Sequence, residues 1–151
     1  MRALVQRVKR GSVTITENNL DYFEEIEKGL IILLGVTHTD NLSDAYFVAD
    51  KCSNLRIFND SGMKMNLSLK DIKGQVLVIS QFTLYGDARK GNRPNFMKAA
   101  PSEKAKQLYD EFVKRMEINI GEGNVKTGIF GATMEVEIIN DGPVSILVES
   151  K

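Results

Sequence analysis

The apolar positions in the first third of the chain predict β-strands. Residues 3–8 are mostly apolar and residues 12–16 alternate between polar and apolar side chains, which predicts two strands separated by residues 9–11. Residues 29–36 form a continuous apolar run, which is typical of a buried strand. The N-terminal part of the protein is therefore expected to be rich in β-structure.

Two later segments repeat their apolar positions with the period of a helix. From Asn41 onwards the pattern predicts a helix that ends before residues 59–62, with Asp40 or Ser43 as its candidate N-cap. A second helix is predicted to begin at residues 101–103. Its apolar stripe consists of Ala105, Leu108, Tyr109, Phe112, Val113 and Met116.

The C-terminal pattern predicts a β-hairpin. Residues 134–138 alternate as a half-buried strand, residues 140–143 predict a turn, and residues 144–148 predict a returning strand. No repeat or linker divides the 151 residues, and a chain of this length suits one domain. We therefore expect an α/β protein of the α+β kind, folded as a single compact domain over residues 1–151, with mixed and antiparallel sheets and two main helices.

Composition and charge narrow the setting in which the protein works. Twenty basic and twenty acidic side chains cancel, so any contact with nucleic acid must come from a local basic patch. The single cysteine, Cys52, excludes an internal disulfide and a zinc site built from several cysteines, which favours a reducing compartment. No apolar run approaches the ~20 residues that span a bilayer, and the N-terminus lacks an apolar signal core. We expect a soluble, cytoplasmic protein without membrane contact.

The most informative segment is residues 75–84, where an apolar run leads into hydrogen-bonding side chains. The apolar half predicts a core strand, and Ser80, Gln81 and Thr83 follow at its end. One such group left buried without a partner would cost about 1–3 kcal/mol. Because side chains alternate along a strand, Ser80 and Phe82 are expected on one face, with Gln81 and Thr83 on the other. The strand end is therefore predicted to line a small polar pocket.

The turn at residues 140–145 differs from an ordinary hairpin turn. Asp141 and Gly142 predict a tight turn, yet Pro143 follows and cannot donate a hydrogen bond to a β-ladder. Glycine also permits close approach of another backbone. Spacing alone favours an edge hairpin with a trans proline. The alternative is a cis bond, found for about 5–6% of X-Pro bonds in folded proteins, which would redirect the backbone carbonyls.

A polar segment at residues 85–100 has no apolar period and is expected to form a long functional loop. It carries several cations beside an aromatic ring, namely Arg89, Lys90, Arg93, Lys98 and Phe96. This composition suits phosphate groups together with one base or sugar stacked on the ring. Taken alone, such a run of charge is more often a solvated surface.

The chain offers few groups for acid-base or nucleophilic catalysis. Its only histidine, His38, lies between a strand and a helix and is interpreted as a surface or capping residue. Cys52 falls on the apolar stripe of the first helix and is interpreted as a small buried hydrophobe. Neither supports a catalytic triad. Hydroxyls, the Gln81 carboxamide and backbone amides can still stabilise an oxyanion, which is worth about 2.7–4 kcal/mol per donor. An attacking water would then need another activator, such as one on the substrate.

Three separated motifs, at residues 80–84, 90–96 and 140–144, together resemble the D-aminoacyl-tRNA deacylases. Residues 1–8 and 127–134 are similar to that family as well, so the resemblance follows the whole chain in order. It implies a barrel-like fold and a homodimer with its active sites at the subunit interface. It also implies hydrolysis of the ester between an amino acid and the terminal adenosine of tRNA, with no cofactor and no metal.

The resemblance further implies how substrates are selected. Gly142 and Pro143 would enter the pocket from the partner protomer, joined by a cis bond whose neighbouring carbonyls confront the α-substituent of the amino acid. L-residues would be excluded, whereas D-residues and glycine would pass. The implied partner is thus tRNA charged with D-amino acids or with glycine, including glycine mischarged on tRNA(Ala).

The family also suggests roles for single residues. Thr83 is a candidate nucleophile, but the residues themselves favour the alternative in which the 2′-hydroxyl of the terminal adenosine assists, because no base is placed beside Thr83. Ser80, Gln81 and Phe82 would then position the ester and the adenosine. The implied sites also include Phe96 for the substrate and Arg89, Lys90, Arg93 and Lys98 for the acceptor-stem phosphates.

The sequence departs from the family pattern at two positions, and two other functions compete with the deacylase. Ile129 stands where the family often has a basic residue, and Ser145 replaces the usual threonine but keeps a hydroxyl. A non-catalytic tRNA-binding module of the translation apparatus would account for the basic loop without hydrolysis. A threonine-nucleophile esterase would instead require Thr83 to attack directly.

Overall fold

The computed structural model describes residues 1–17 and 20–150, apart from the side chains of Glu17 and Leu20, and its architecture is dominated by one sheet. The strands are β1 (Arg2–Glu17), β2 (Leu20–Ile26), β3 (Gly29–Gly35), β4 (Phe58–Asn59), β5 (Met65–Leu67), β6 (Gln75–Ser80), β7 (Val125–Thr127) and β8 (Glu135–Glu149). The main sheet has the order β2-β1-β3-β6-β7, and β8 pairs with β1. The result is a mixed α/β domain with a nearly closed, barrel-like sheet, as expected.

The long strand β1 explains why this sheet curls. Its first half pairs antiparallel with β3 and its second half with β2, while β8 follows its other edge almost throughout. The prediction of two strands separated by residues 9–11 is therefore wrong. On one edge β3 pairs with β1 as far as Val8 and β2 takes over from Gly11, while β8 on the other edge pairs on both sides of this gap, with register shifts before and after Val8.

The predicted hairpin at the C-terminus is also wrong, because β8 is one strand. Both of its halves pair antiparallel with β1, and the turn signal produces a bulge in which Arg7 of β1 lies opposite residues 141–144. A turn reversing the chain would leave β1 without its second neighbour. Gly142 and Pro143 thus project from the middle of a strand and not from the end of a hairpin.

The two buried strands predicted from apolar runs are confirmed as β3 and β6, which pair in parallel. β6 ends at Ser80, and residues Phe82–Tyr85 form a 3-10 turn. The expected strand-like alternation through Thr83 is therefore wrong. The turn closes through backbone hydrogen bonds of Leu84 to Gln81 and of Gly86 to Thr83.

Both predicted helices are present, as α1 (Leu42–Asn54) and α2 (Ser102–Ile120). The N-cap of α1 is Asn41, whose side chain accepts a hydrogen bond from the Ser43 amide, so the predicted caps Asp40 and Ser43 are wrong. Asp40 is buried and instead accepts hydrogen bonds from the Met1 α-amino group and the Thr37 amide. Within the described part of the chain, neither helix has the length and apolarity needed to cross a bilayer.

The core lies on both faces of the sheet. The helices cover one face, where Leu30 and Ile32 pack with Phe112 and Met116 of the predicted α2 stripe. Ile31 and Leu77 belong to a second cluster on the opposite face. This division follows from the alternation of side chains along β3. Polar groups and a cavity meet at the carboxyl end of β6.

Candidate active site

A cavity of about 480 Å³ opens at the carboxyl end of β6, between the sheet and α2. Ser80 and Gln81 provide polar groups in its lining, Phe82 follows them, and Tyr109, Phe130 and Met134 are among the other lining residues. Of the side chains predicted at the strand end, Ser80 and Gln81 thus meet at this pocket, whereas Thr83 does not line it. An apolar cavity with a few convergent polar groups is the usual form of a small-molecule site.

The hydroxyl groups near this cavity differ in their surroundings. Ser80 is half-buried and lines the cavity, and its hydroxyl makes no hydrogen bond within the described residues. Thr83 is exposed on the 3-10 turn and does not line the cavity. Its Oγ1 accepts a hydrogen bond from Nε2 of Gln81. Gln81 and Thr83 are therefore held together by a hydrogen bond, and of the two hydroxyl groups only that of Ser80 belongs to a residue that lines the cavity.

No general base of the described chain contacts these hydroxyls. The His38 ring is exposed, as predicted, and its Nε2 lies 2.9 Å from the carbonyl oxygen of Met97. Burial raises the pKa of the Cys52 thiol to about 12, which agrees with the predicted role as a buried hydrophobe. Among the side chains that the structure describes, no group of three or more His, Cys, Asp or Glu is placed to hold a metal ion.

An aromatic pair stands at the mouth of the cavity. Phe82 is 58% exposed and Phe96 is 39% exposed, and their rings meet edge to face with centroids 5.3 Å apart. Phe96 reaches this position because Gly86 lacks a side chain. A Cβ atom there would lie 2.9 Å from Cε1 of the Phe96 ring. The turn after β6 and the long loop are thereby joined beside the cavity.

Sequence reasoning missed the aromatic wall opposite Ser80. Tyr109 belongs to the α2 stripe and was assigned to the core, yet it lines the cavity while its hydroxyl donates to the Val78 carbonyl at 2.8 Å. The Phe130 ring packs against it with a centroid separation of 5.7 Å. The one sequence signal for this wall was the family-like segment at residues 127–134, which contains Phe130. Its Ile129 is half-buried and packs on the second core cluster.

Gly142 and Pro143 are exposed and do not line the cavity of their own chain. The bond between them is cis, so the interpretation with a trans proline, favoured by spacing alone, is wrong. Gly142 has φ +134°, and a Cβ atom on it would lie 2.9 Å from Cγ2 of Val144. A side chain at this position would therefore be strained.

Arg7 holds the bulge and was not predicted from sequence. Its side chain is only 8% exposed. Its Nε donates to the carbonyl oxygen of Asp141 at 2.9 Å, and its Nη1 donates to that of Ile57 at 2.5 Å. The guanidinium also lies 3.5 Å from the Asp141 carboxylate. A buried arginine with three such partners locks the main chain next to Gly142.

The basic loop is closed at its base by two backbone hydrogen bonds between Asp87 and Asn95. The carboxylate of Asp87 accepts from the Arg89 guanidinium and lies 4.0 Å from Nζ of Lys98. These contacts, led by the hydrogen bonds from Arg89, hold the pKa of Asp87 well below its usual range. Lys90 and Arg93 are exposed and form no ion pair among the described residues.

Sequence comparison places these features in a known family. A family model described as D-Tyr-tRNA(Tyr) deacylase matches residues 4–149. The D-aminoacyl-tRNA deacylase of Caldicellulosiruptor saccharolyticus is 58% identical over 151 residues, covering 100% of this chain and 98% of that protein. The protein of the same name from Clostridioides difficile is 54% identical, covering 99% of this chain and 97% of its own.

Solved structures agree with this relationship. The c-Myc DNA Unwinding Element Binding Protein superimposes with a TM-score of 0.92 and 38% identity, covering 100% of this chain and 99% of that one. A probable eukaryotic D-amino acid tRNA deacylase superimposes with a TM-score of 0.82 over 98% of both chains. At 17% identity, the second likeness shows the fold alone.

The fold and the sequence likeness together define an enzyme of the carboxylic ester hydrolase class. The chain belongs to the D-Tyr-tRNA(Tyr) deacylase family. The resemblance drawn from the motifs at residues 80–84, 90–96 and 140–144 is thereby confirmed.

Proposed function

We propose that this protein hydrolyses the ester that links a D-amino acid to the terminal adenosine of tRNA. The observation that carries the proposal is the cavity beside Ser80 and Gln81, found in a chain that belongs to a deacylase family. Its apolar walls suit an adenine ring and an amino-acid side chain, and its polar end suits the ester. The relatives at 54% and 58% identity bear the name D-aminoacyl-tRNA deacylase, which supports the same substrate class.

In the proposed mechanism, Ser80 and Gln81 position the ester and the 2′-hydroxyl of the adenosine activates the attacking water. Two observations support this choice over attack by Thr83. The Thr83 hydroxyl accepts its hydrogen bond from a carboxamide, which cannot remove a proton, and no described ionisable side chain bonds to it. An unactivated hydroxyl is a weak nucleophile.

Selection of the D-enantiomer is proposed to come from the Gly142–Pro143 bulge of a second copy of the chain. These residues are exposed and lie outside their own cavity, so they are available to a partner's cavity in a homodimer. Their carbonyl oxygens would clash with the α-substituent of an L-residue. Glycine, which has no such substituent, is proposed to pass, including glycine mischarged on tRNA(Ala).

An assay with paired enantiomers tests the proposed function. Purified protein is expected to release D-tyrosine and glycine from charged tRNA while L-tyrosyl-tRNA remains intact, because only an L-residue meets the carbonyl oxygens of the bulge. The measurement is the first-order rate of loss of each labelled aminoacyl-tRNA, corrected for spontaneous hydrolysis. Equal rates for the two enantiomers would contradict the filter. A protein that sediments as a monomer at assay concentration would contradict the shared site.

The aromatic pair provides a second prediction. Phe82→Ala is expected to raise KM for D-tyrosyl-tRNA by about 10- to 100-fold, since stacking of a base on an aromatic ring is worth about 1–3 kcal/mol. The matched control is Phe47→Ala on α1, a ring that is 45% exposed and does not line the cavity. KM is measured from initial rates over a range of D-tyrosyl-tRNA concentrations. The same KM in both variants would show that Phe82 does not contact substrate.

A nucleic-acid-binding module without hydrolysis is the second candidate. One observation favours it: the structural neighbour at 38% identity is named for binding to a DNA unwinding element. The exposed Lys90 and Arg93 would supply contacts to phosphates. Binding of charged tRNA without any release of the amino acid would favour this candidate over the deacylase.

A further inference from the structure

A groove of about 350 Å³ lies next to the aromatic pair, where Gly86 lines it and meets the Phe96 ring. Its lining includes Arg2 from β1, Tyr85 and Asp87 from the segment after β6, and Arg89 and Lys98 from the two ends of the basic loop. Three cations therefore converge here, and Asp87 is the one carboxylate of the lining. We refer to it as the Arg2 groove.

The guanidinium of Arg2 is held in place by three contacts. It lies 4.7 Å from the centroid of the Tyr85 ring, and its Nη1 donates to the Leu84 carbonyl at 3.0 Å. Its Nε is 2.5 Å from a carboxylate oxygen of Glu149. No described residue accepts a hydrogen bond from Nη2, and the side chain is 38% exposed. A fixed guanidinium with a free nitrogen is well suited to an oxyanion.

The opposite side of the groove is ordered in a similar way. Asp87 accepts hydrogen bonds from Nε and Nη2 of Arg89, which leaves Nη1 available. Nζ of Lys98 lies 4.0 Å from the same carboxylate and is largely exposed. Asp87 thus orients Arg89 and lies near Lys98, while Glu149 pairs with Arg2, so three cations face two carboxylates and one positive charge remains in excess.

The position of the groove indicates which anion it would meet. Gly86 lines the groove and contacts the Phe96 ring, Phe96 packs on Phe82, and Phe82 lines the cavity. A nucleic-acid strand whose terminal adenosine occupies the cavity would pass its next base over the aromatic pair. We propose that the Arg2 groove binds a phosphodiester of the single-stranded 3′ end of tRNA, with Arg2 as a binding residue in addition to the basic loop. The proposal rests on the proposed tRNA substrate.

The test compares Arg2→Gln with Glu149→Gln on two substrates, D-tyrosyl-tRNA and D-tyrosyl-adenosine, which has no phosphate. Arg2→Gln is expected to lower kcat/KM about 10-fold on the tRNA substrate only, and to reduce the slope of log affinity against log salt by about 0.7. Glu149→Gln breaks the same ion pair but keeps the Arg2 cation, so it is expected to bind tRNA at least as well as the unchanged protein. Arg2→Lys is expected to restore the salt slope but only part of the rate, since lysine lacks the planar fork.

Several outcomes would overturn the assignment. Equal losses on both substrates, or an equal loss in Glu149→Gln, would show that Arg2 only stabilises the fold. Displacement of tRNA by inorganic phosphate at constant ionic strength would show a site for a free anion. Affinity of Arg2→Gln for uncharged tRNA equal to that of the unchanged protein would exclude the groove even if the protein proved inactive. Lack of hydrolysis of either substrate by the unchanged protein would instead contradict the proposed function.

Discussion

Removal of the 2′-hydroxyl from the terminal adenosine of D-tyrosyl-tRNA is expected to slow deacylation by at least about 100-fold, the scale of a lost general base. Thr83→Ala is expected to stay within about 10-fold of the unchanged protein, since it removes one hydrogen bond worth about 0.5–1.5 kcal/mol. The difference follows from the surroundings of Thr83, whose hydroxyl is paired with Gln81 and has no base beside it. Single-turnover rates with saturating enzyme measure the chemical step directly.

A second exposed threonine serves as the control for Thr83→Ala. Thr39→Ala removes an exposed hydroxyl from the connection between β3 and α1, outside the cavity. It is expected to leave the deacylation rates of both the ordinary and the 2′-deoxy substrate unchanged. The competing esterase mechanism makes the reverse prediction. It requires Thr83→Ala to lose nearly all activity while the 2′-deoxy substrate is still hydrolysed, and that result would replace the substrate-assisted mechanism.

Arg7→Met is expected to lower the free energy of unfolding by about 2–4 kcal/mol, because it leaves buried carbonyl groups without their charged donor. The same variant is expected to weaken discrimination between D- and L-tyrosyl-tRNA. Arg7 bonds to the Asp141 carbonyl immediately before Gly142, so its loss frees the main chain of the proposed filter. Urea unfolding gives the first quantity, and the ratio of the two deacylation rates gives the second.

Arg10→Met is the control on the same strand. Arg10 is 63% exposed and lies 3.8 Å from the Glu137 carboxylate, so its removal is expected to change stability by less than about 0.5 kcal/mol. If Arg7→Met lost stability but kept the full enantiomer ratio, Arg7 would support the fold and have no part in selection. If it behaved like Arg10→Met, the buried contacts of Arg7 would contribute little.

The sequence by itself determined the elements whose signal is local. The period of apolar residues predicted α1, α2 and the buried strands β3 and β6, because each pattern matches the geometry of its own element. The strand end at Ser80 was recognisable for the same reason, since a polar group after a buried strand needs a partner or a cavity. Short family-like motifs were sufficient to predict the class of enzyme.

Only the tertiary structure decided the features that depend on distant partners. β1 continues through a polar interruption because β8 pairs with it on both sides of that interruption, and β8 bulges where a hairpin was predicted because β1 extends along both of its halves. The buried Arg7 looked like an ordinary charge in an alternating strand until its contacts with Ile57 and Asp141 were known. Tyr109 likewise counted as a core residue on its helix. Periodicity shows which face of an element is buried, whereas the residues that meet across that face depend on segments far apart in the chain.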